Sequence, residues 1–270
     1  DNFDRIADDS DIDIIYVVLP NAMHAEFTIR AARAGKHVIC EKPMAISVKE
    51  CEEMIAACKK AGRLLQIGYR LQYEPHNREA MRLGQDKVLG EVKTIETSNA
   101  FYGVGMKNWR LEKALSGGGP LMDMGIYCIQ GSRYTLGKEP VSVTAQQFKT
   151  RPDAFKEVEE TLFWQMEFPG GQAATCMTSY AARSSRLTAY AEKGNFELNP
   201  AYNYGPLGGH LNGTPINFPT TNQQAVQMDA FAENIFNHTA CLVPGEEGLR
   251  DLKVIEATYK AMETGEKVAV

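Results

Sequence analysis

Along the first third of the chain, short apolar runs alternate with longer amphipathic ones. Residues 13–19 are rich in Ile and Val and lack polar alternation, the pattern of a strand buried on both faces. The run ends at Pro20-Asn21. Helical spacing follows over 22–34, with Gly35 as the C-terminal stop. Residues 37–40 predict a second short strand, which exits into Glu41-Lys42-Pro43. Ser47 and Glu50 form a capping-box signature for a helix reaching Ala61, before Gly62. Residues 64–69 predict a third strand, leading to Tyr69-Arg70. Strand alternating with amphipathic helix is the pattern of a parallel α/β sheet. Ahead of it, residues 1–7 read as the end of a helix and 8–11 as a polar turn.

Beyond about Leu89 the period changes. Residues 91–102 have strand composition, and a loop with Trp109-Arg110 leads to Gly117-Gly118-Gly119-Pro120. Helical spacing runs from Leu121 to Leu136, stopping at Gly137. Alternation over 141–149 predicts a half-buried strand. Residues 159–168 and 172–180, joined by Pro169-Gly170-Gly171, read as a hairpin, and 187–191 with 195–198 as another. Residues 200–219, rich in Gly, Asn and Pro, read as a long loop, and 222–238 and 245–264 as helices. The predicted division is therefore residues 1–89, a parallel unit, and 90–270, an α+β unit built on a largely antiparallel sheet.

Composition narrows the partners. The 270 residues are 44% hydrophobic and 23% charged, with a net charge of -5 and no basic run, which argues against nucleic acid. No apolar stretch approaches the length of a membrane span. Cys40, Cys51, Cys58, Cys128, Cys176 and Cys241 are scattered without a CxxC pair, so neither a metal site nor a disulfide framework is expected.

In parallel α/β sheets, ligands gather outside the carboxyl ends of the strands. Here those ends carry Pro20-Asn21, Glu41-Lys42-Pro43 and Tyr69-Arg70, which predicts one polar crevice. Downstream of the glycine turn, Asp123 and Tyr127 lie four apart and share a helix face. An acid and a phenol side by side suit proton exchange with a sugar hydroxyl. An aspartate near a helix start also serves as a cap or dipole partner. A lysine at a strand exit is otherwise a solvated surface group. Lys42 held between Glu41 and Pro43 supplies the third member of a candidate site, and the Lys42-Pro43 bond is a place for a cis peptide.

These residues carry a resemblance. Pro20-Asn21-Ala22-Met23-His24, Glu41-Lys42-Pro43 and Gly117-Gly118-Gly119 through Asp123 and Tyr127 resemble the glucose–fructose oxidoreductase-like branch of the Gfo/Idh/MocA oxidoreductases. The likeness extends through Ile67-Gly68-Tyr69-Arg70, Trp109-Arg110, Trp164-Gln165-Met166 and Pro244-Gly245-Glu246-Glu247-Gly248. It implies a Rossmann-type parallel sheet, incomplete here, followed by a domain with a large, open, mostly antiparallel sheet. It also implies a homodimer or tetramer formed through that sheet, and an NADP or NAD cofactor. The substrate it implies is a sugar, oxidised or reduced by hydride transfer.

By the same resemblance, Lys42, Asp123 and Tyr127 are the catalytic candidates. Leu19, Pro20, Asn21, His24, Glu41, Lys42, Pro43, Arg70, Trp109 and Arg110 line the cofactor and sugar pocket. For Arg70, Trp109, Arg110 and His24, structural roles remain equally open. A free phenol is a poor base at neutral pH, and a lysine beside it favours the phenolate. Asp123 would fix the sugar's orientation. The family's GxGxxG turn, whose amides cradle a pyrophosphate, is absent, and Gly117-Gly118-Gly119 follows no buried parallel strand. In the family that turn would precede Asp1, so the expectation is a partly represented enzyme whose cofactor binding is weakened or lost. Simple NADP-dependent aldose dehydrogenases and a 1,5-anhydrofructose reductase have similar motifs. The rivals from other classes are a non-catalytic sugar or dinucleotide sensor, against which the three proton-handling residues count, and an inactive fragment. The compartment, cytoplasmic or periplasmic, stays open.

Overall fold

The structure, a computed structural model, describes residues 2–270. Its first unit is a three-stranded parallel sheet in the order β1 (Ile14–Val17), β2 (His37–Cys40), β3 (Leu65–Ile67). Helices α1 (His24–Arg33) and α2 (Val48–Ala61) make the crossovers. The α2 boundaries follow from its caps: Ser47 accepts from the Glu50 amide, and the helix closes at Gly62. Two expectations change at the start. Residues Phe3–Ala7 form a 3-10 turn rather than a helix end. β1 is half-buried at the sheet edge, not enclosed on both faces, and Val18 just beyond it is 64% exposed.

A 3-10 turn (Arg70–Tyr73) and α3 (Pro75–Gln85) then lead to β4 (Val92–Ala100). The short α4 (Lys113–Ser116) precedes a wide π-helical turn, Leu121–Gly125, which runs straight into α5 (Ile126–Leu136). The remaining elements are β5 (Ser142–Phe148), β6 (Thr161–Glu167), β7 (Ala173–Ser179), β8 (Ser184–Ala191), β9 (Gly194–Leu198), β10 (Gly209–Leu211), β11 (Thr214–Ile216), α6 (Gln223–Phe236), α7 (Gly245–Thr264) and β12 (Val268–Ala269). Both predicted hairpins, β6–β7 and β8–β9, form. The stretch read as a loop over 200–219 instead contains the β10–β11 hairpin. Its turn residues Asn212 and Gly213 both have positive φ, the conformation a type I′ turn demands.

The second sheet has nine strands in the order β11-β10-β9-β8-β4-β7-β6-β5-β12. Every neighbouring pair is antiparallel except β4 with β7. That one parallel pairing sets β4 in the middle, with a hairpin on each side. Helix α5 covers the inner face, where Leu162, Trp164, Cys176 and Leu187 are buried. Helix α7 packs on α2, β3 and β5, and the Ile67 amide donates to the Val243 carbonyl, so the C-terminal segment joins the two sheets. Phe231 of α6 packs with Ile39 against the first sheet. All six cysteines are buried and unpaired. Among the described residues no helix is long and apolar enough to cross a membrane, and no His, Cys, Asp or Glu group is placed to hold a metal.

Candidate active site

The three strand exits of the first sheet open into one cleft of about 750 Å³. One wall carries Val18, Leu19, Pro20, Asn21, Glu41, Lys42 and Arg70. Facing it are Asn99 from the end of β4, Trp109 and Arg110, and Asp123, Met124 and Tyr127 from the turn and first residues of α5. A rim from the connection between β9 and β10, residues 202–205, closes one side.

Local packing explains the glycine stretch. The amides of Gly119 and Leu121 donate to the buried Glu159 carboxylate, each at 2.9 Å, and the Tyr259 hydroxyl donates to the same group. A Cβ on Gly118 would sit inside the Tyr259 hydroxyl, and one on Gly119 would meet the Glu159 carbonyl at 2.6 Å. The run is glycine because three other chain segments, at Ile46, Glu159 and Tyr259, press against its backbone, and the amides of Gly119 and Leu121 serve an internal carboxylate rather than a phosphate. The π turn that follows is held from the sheet and the strand exits. Thr178 Oγ1 donates to the Pro120 carbonyl, Asn99 Nδ2 to that of Met124, and Lys42 Nζ to that of Asp123. Such turns recur at functional sites.

Asp123 is the charge hub. Its Oδ1 accepts from Lys42 Nζ at 3.2 Å, and its Oδ2 accepts from Arg110 Nε at 3.2 Å and the Tyr180 hydroxyl at 3.1 Å. Burial pushes the Asp123 carboxyl up, but Lys42, Arg110 and the Tyr180 hydrogen bond outweigh it and hold it below the usual carboxylate range. For Lys42 the balance is the mirror image. Burial pulls the ammonium down, and Tyr127, Asp123 and Glu41 hold it above its ordinary value. Both groups are therefore charged. Burial and the nearby Asp123 charge push the Tyr180 phenol far up, so it donates.

Tyr127, 5% exposed, is surrounded on its ring rather than at its hydroxyl. Lys42 Nζ lies 4.9 Å from the ring centroid, the Arg70 guanidinium carbon 5.1 Å, and the Tyr202 ring stacks at 6.0 Å. Among the described residues no protein group hydrogen-bonds its hydroxyl, which faces the cleft.

The other predicted residues divide. Leu19, Pro20 and Asn21 line the cleft, and Asn21 Nδ2 also donates to the Ser116 carbonyl. Glu41 lines it while accepting from the Tyr16 hydroxyl and from the Lys42 amide. Pro43 is buried behind the cleft, after a cis Lys42-Pro43 bond. Its carbonyl faces His24 Nδ1 at 2.8 Å, while His24 Nε2 faces the Leu19 carbonyl at 2.8 Å. The ring thus braces two strand exits and also lines the cleft. Burial pulls the His24 imidazole below its ordinary value, against the opposing pull of those carbonyls. Trp109 carries Arg110 over its ring at 4.5 Å. The sequence reading missed Tyr180, Tyr202, Tyr204 and Asn99. Two tyrosines spaced i, i+2 in a Gly- and Pro-rich segment were the one available signal.

The chain has counterparts among known proteins in sequence and fold. The profile described as "Oxidoreductase family, NAD-binding Rossmann fold" matches residues 1–69, and the "GFO/IDH/MocA C-terminal domain" matches 77–197. The chain is 30% identical over 262 residues to D-xylose 1-dehydrogenase [NADP(+)] of Haloarcula marismortui, covering 93% of this chain and 73% of that enzyme. It is 28% identical to D-glucoside 3-dehydrogenase of Escherichia coli, over 95% of this chain and 79% of that one. The crystal structure of aldose-aldose oxidoreductase from Caulobacter crescentus, complexed with glycerol, superposes with a TM-score of 0.94 at 46% identity, covering 99% of this chain and 82% of that one. The chain belongs to the Gfo/Idh/MocA oxidoreductase family.

Proposed function

We propose that this Gfo/Idh/MocA oxidoreductase moves a hydride between a nicotinamide cofactor and a sugar carbon, with Tyr127 exchanging the hydroxyl proton. The observation that carries this reading is the Tyr127 hydroxyl, free of protein partners in the cleft, with the Lys42 ammonium held on its ring by Asp123. Similarity to enzymes named for xylose, glucosides and aldoses makes an aldose the first substrate to test, and the NADP(+) of the xylose enzyme makes NADP the first cofactor.

The residues at the strand exits fit the nicotinamide end of a dinucleotide. Val18 and Leu19 present apolar side chains on the cleft's lip, with Val18 left largely exposed despite its apolar run. Asn21, Glu41 and Lys42 add polar groups beside them. Leu19, Pro20, Asn21, Lys42, Arg70 and Trp109 would hold that end, which supplies a hydride acceptor or donor when bound. No pyrophosphate cradle accompanies them among the described residues, since the amides at 119 and 121 are taken by Glu159.

On oxidation, the sugar O–H proton passes to Tyr127 Oη while the carbon's hydrogen leaves with its electron pair, turning carbinol into carbonyl. Reduction reverses both transfers. Lys42, held beside the Tyr127 ring by Asp123, places and polarises the phenol. Asp123 already receives three donors and has about one acceptor position left for a sugar hydroxyl, so its main part is to hold Lys42. Residues 1–89 form the cofactor unit and 90–270 the substrate unit. The outer face of the nine-stranded sheet, with Phe148 and Phe163 exposed and in edge contact, is the surface for self-association into a dimer or tetramer.

Fluorescence titration with NADPH, followed by turnover assays on a panel of aldoses, tests the reading. Saturable but weak NADPH binding, for want of a pyrophosphate cradle among the described residues, and sugar-dependent change in nicotinamide absorbance are expected. A folded protein that neither binds NADPH nor turns over any aldose contradicts it.

A further inference from the structure

The charges around the cleft do not balance, and the surplus falls on one residue. Lys42 and Arg110 share the Asp123 carboxylate, and Glu41 lies beside Lys42. Those two cations and two carboxylates cancel. Arg70 is different. Its guanidinium donates to the main-chain carbonyls of Tyr202 (2.6 Å) and Asn203 (3.1 Å) and to the side-chain oxygen of Gln223. All three acceptors are neutral, and Arg70 makes no ion pair among the described residues. Its Nε is buried without a partner, although the side chain is only 5% exposed. The guanidinium lies between two phenol rings, 5.1 Å from Tyr127 and 4.0 Å from Tyr204.

We infer that Arg70 supplies the net positive charge that enables Tyr127 to act as a base, while Lys42, neutralised by Asp123, places and polarises the site. The inference rests on the reading of Tyr127 as the proton-exchanging group. Its physical basis is the distance dependence of charge. An ion pair such as Lys42–Asp123 acts on its surroundings as a dipole, whose field falls off faster than that of a lone charge. Arg70 is the lone charge, and guanidinium does not deprotonate in the pH range of catalysis. The other charged or titratable groups around Tyr127 and Arg70 are Lys42, Asp123, Arg110, Glu41, His24, Tyr16, Tyr180, Tyr202 and Tyr204. None of these adds an unpaired positive charge.

A plain structural alternative exists. Arg70 also ties residues 202 and 203 to the first unit, and that tether alone would make the residue important. The two roles separate in the phenolate absorbance of Tyr127, obtained as the difference between each protein and its Tyr127→Phe counterpart across a pH titration. This reading requires no cofactor. Arg70→Met is expected to move the Tyr127 band to higher pH and to lower kcat by roughly 10- to 100-fold. Arg70→Lys, which keeps the charge and loses the fork, is expected to restore most of both while raising KM. Gln223→Met, which weakens the tether and leaves the charge, is expected to leave the band in place.

If Arg70→Met does not fold, Arg70→Gln carries the same comparison. An unmoved band in Arg70→Met or Arg70→Gln overturns the inference. So do equal effects of the Met, Lys and Gln223 variants, which would leave Arg70 a tether. Retained kcat in Tyr127→Phe would overturn the base assignment, and this inference with it. An inactive Tyr127→Phe beside an unmoved Arg70→Met band would sink this inference alone.

Discussion

The segment 121–136 runs between two buried charge clusters that are alike in composition and opposite in use. At its start, Asp123 gathers Lys42, Arg110 and Tyr180. Near its end, Arg133, 2% exposed, donates to Glu139, Glu247 and Asp251, while Gln130 donates to Asp251 and the Tyr134 hydroxyl to Glu247. In the second cluster the members bond one another, with Glu139 at its rim open to solvent. The first leaves a hydroxyl without a protein partner, on an open cleft, beside two cations. Burial and charge are common to both, so neither marks function. The distinguishing feature is an unspent group facing space.

The two central carboxylates show the same contrast. Asp123 is held below the usual range by its two cations and a phenol donor, which outweigh burial. Burial pushes Asp251 up, with Glu247 adding to it, beyond what Arg133, Tyr69 and Gln130 recover. Asp123 meets two cations directly, whereas Asp251 shares Arg133 with Glu139 and Glu247, and Arg250 reaches only those other two.

Breaking each cluster should therefore fail in a different assay. Arg133→Met strands buried carboxylates and is expected to cost about 3–5 kcal/mol of stability, read by denaturant unfolding, with kcat per folded molecule little changed. Lys42→Met should do the reverse. Asp123 keeps Arg110 and Tyr180, so the melting temperature holds, while kcat falls by roughly 100-fold or more. An unfolded Lys42→Met or an inactive but stable Arg133→Met would erase the distinction.

A smaller effect is expected at the turn feeding the first cluster. Gly118→Ala forces Tyr259 away from Glu159 and should destabilise by about 1–3 kcal/mol, with kcat reduced because the π turn shifts. Unchanged stability there would mean the glycines are not needed for close approach.

The smallest effect is in pH dependence, and its sign differs between clusters. Asp123 has a depressed folded value. Its stabilisation is complete above the unfolded carboxyl value of about 3.9 and is lost as pH falls through the lower folded value. Asp251 has a raised folded value. Its contribution is complete below about 3.9 and is lost as pH rises through the folded value. Melting curves of Asp123→Asn and Asp251→Asn against the parent should thus diverge in opposite directions across acidic pH. Divergence in the same direction would contradict the assignment.

Much of the fold was legible because its signals are local. Ser47, Glu50 and Gly62 bracket α2, and the glycines at 170 and 171 turn the β6–β7 hairpin. Helix α3 went unread: its Glu74 cap and first-turn Pro75 were legible, but its buried face mixes His76, Asn77 and Gly84 with only Ala80 and Leu83. The Asn212-Gly213 signal was present but flanked by strands of only three residues. In the site, Lys42, Asp123 and Tyr127 could be named because strand exits and a shared helix face are sequence patterns. Tyr180 and the 202–204 rim reach the cleft through sheet pairing and the Arg70 tether, across separations that local spacing does not encode.

The most direct test of the account is Tyr127→Phe, assayed for NADPH binding and for aldose turnover on one preparation. Unchanged NADPH affinity with kcat reduced by about 1,000-fold is the predicted result. Turnover at the parent rate with cofactor bound would show that another group handles the proton and would contradict the account.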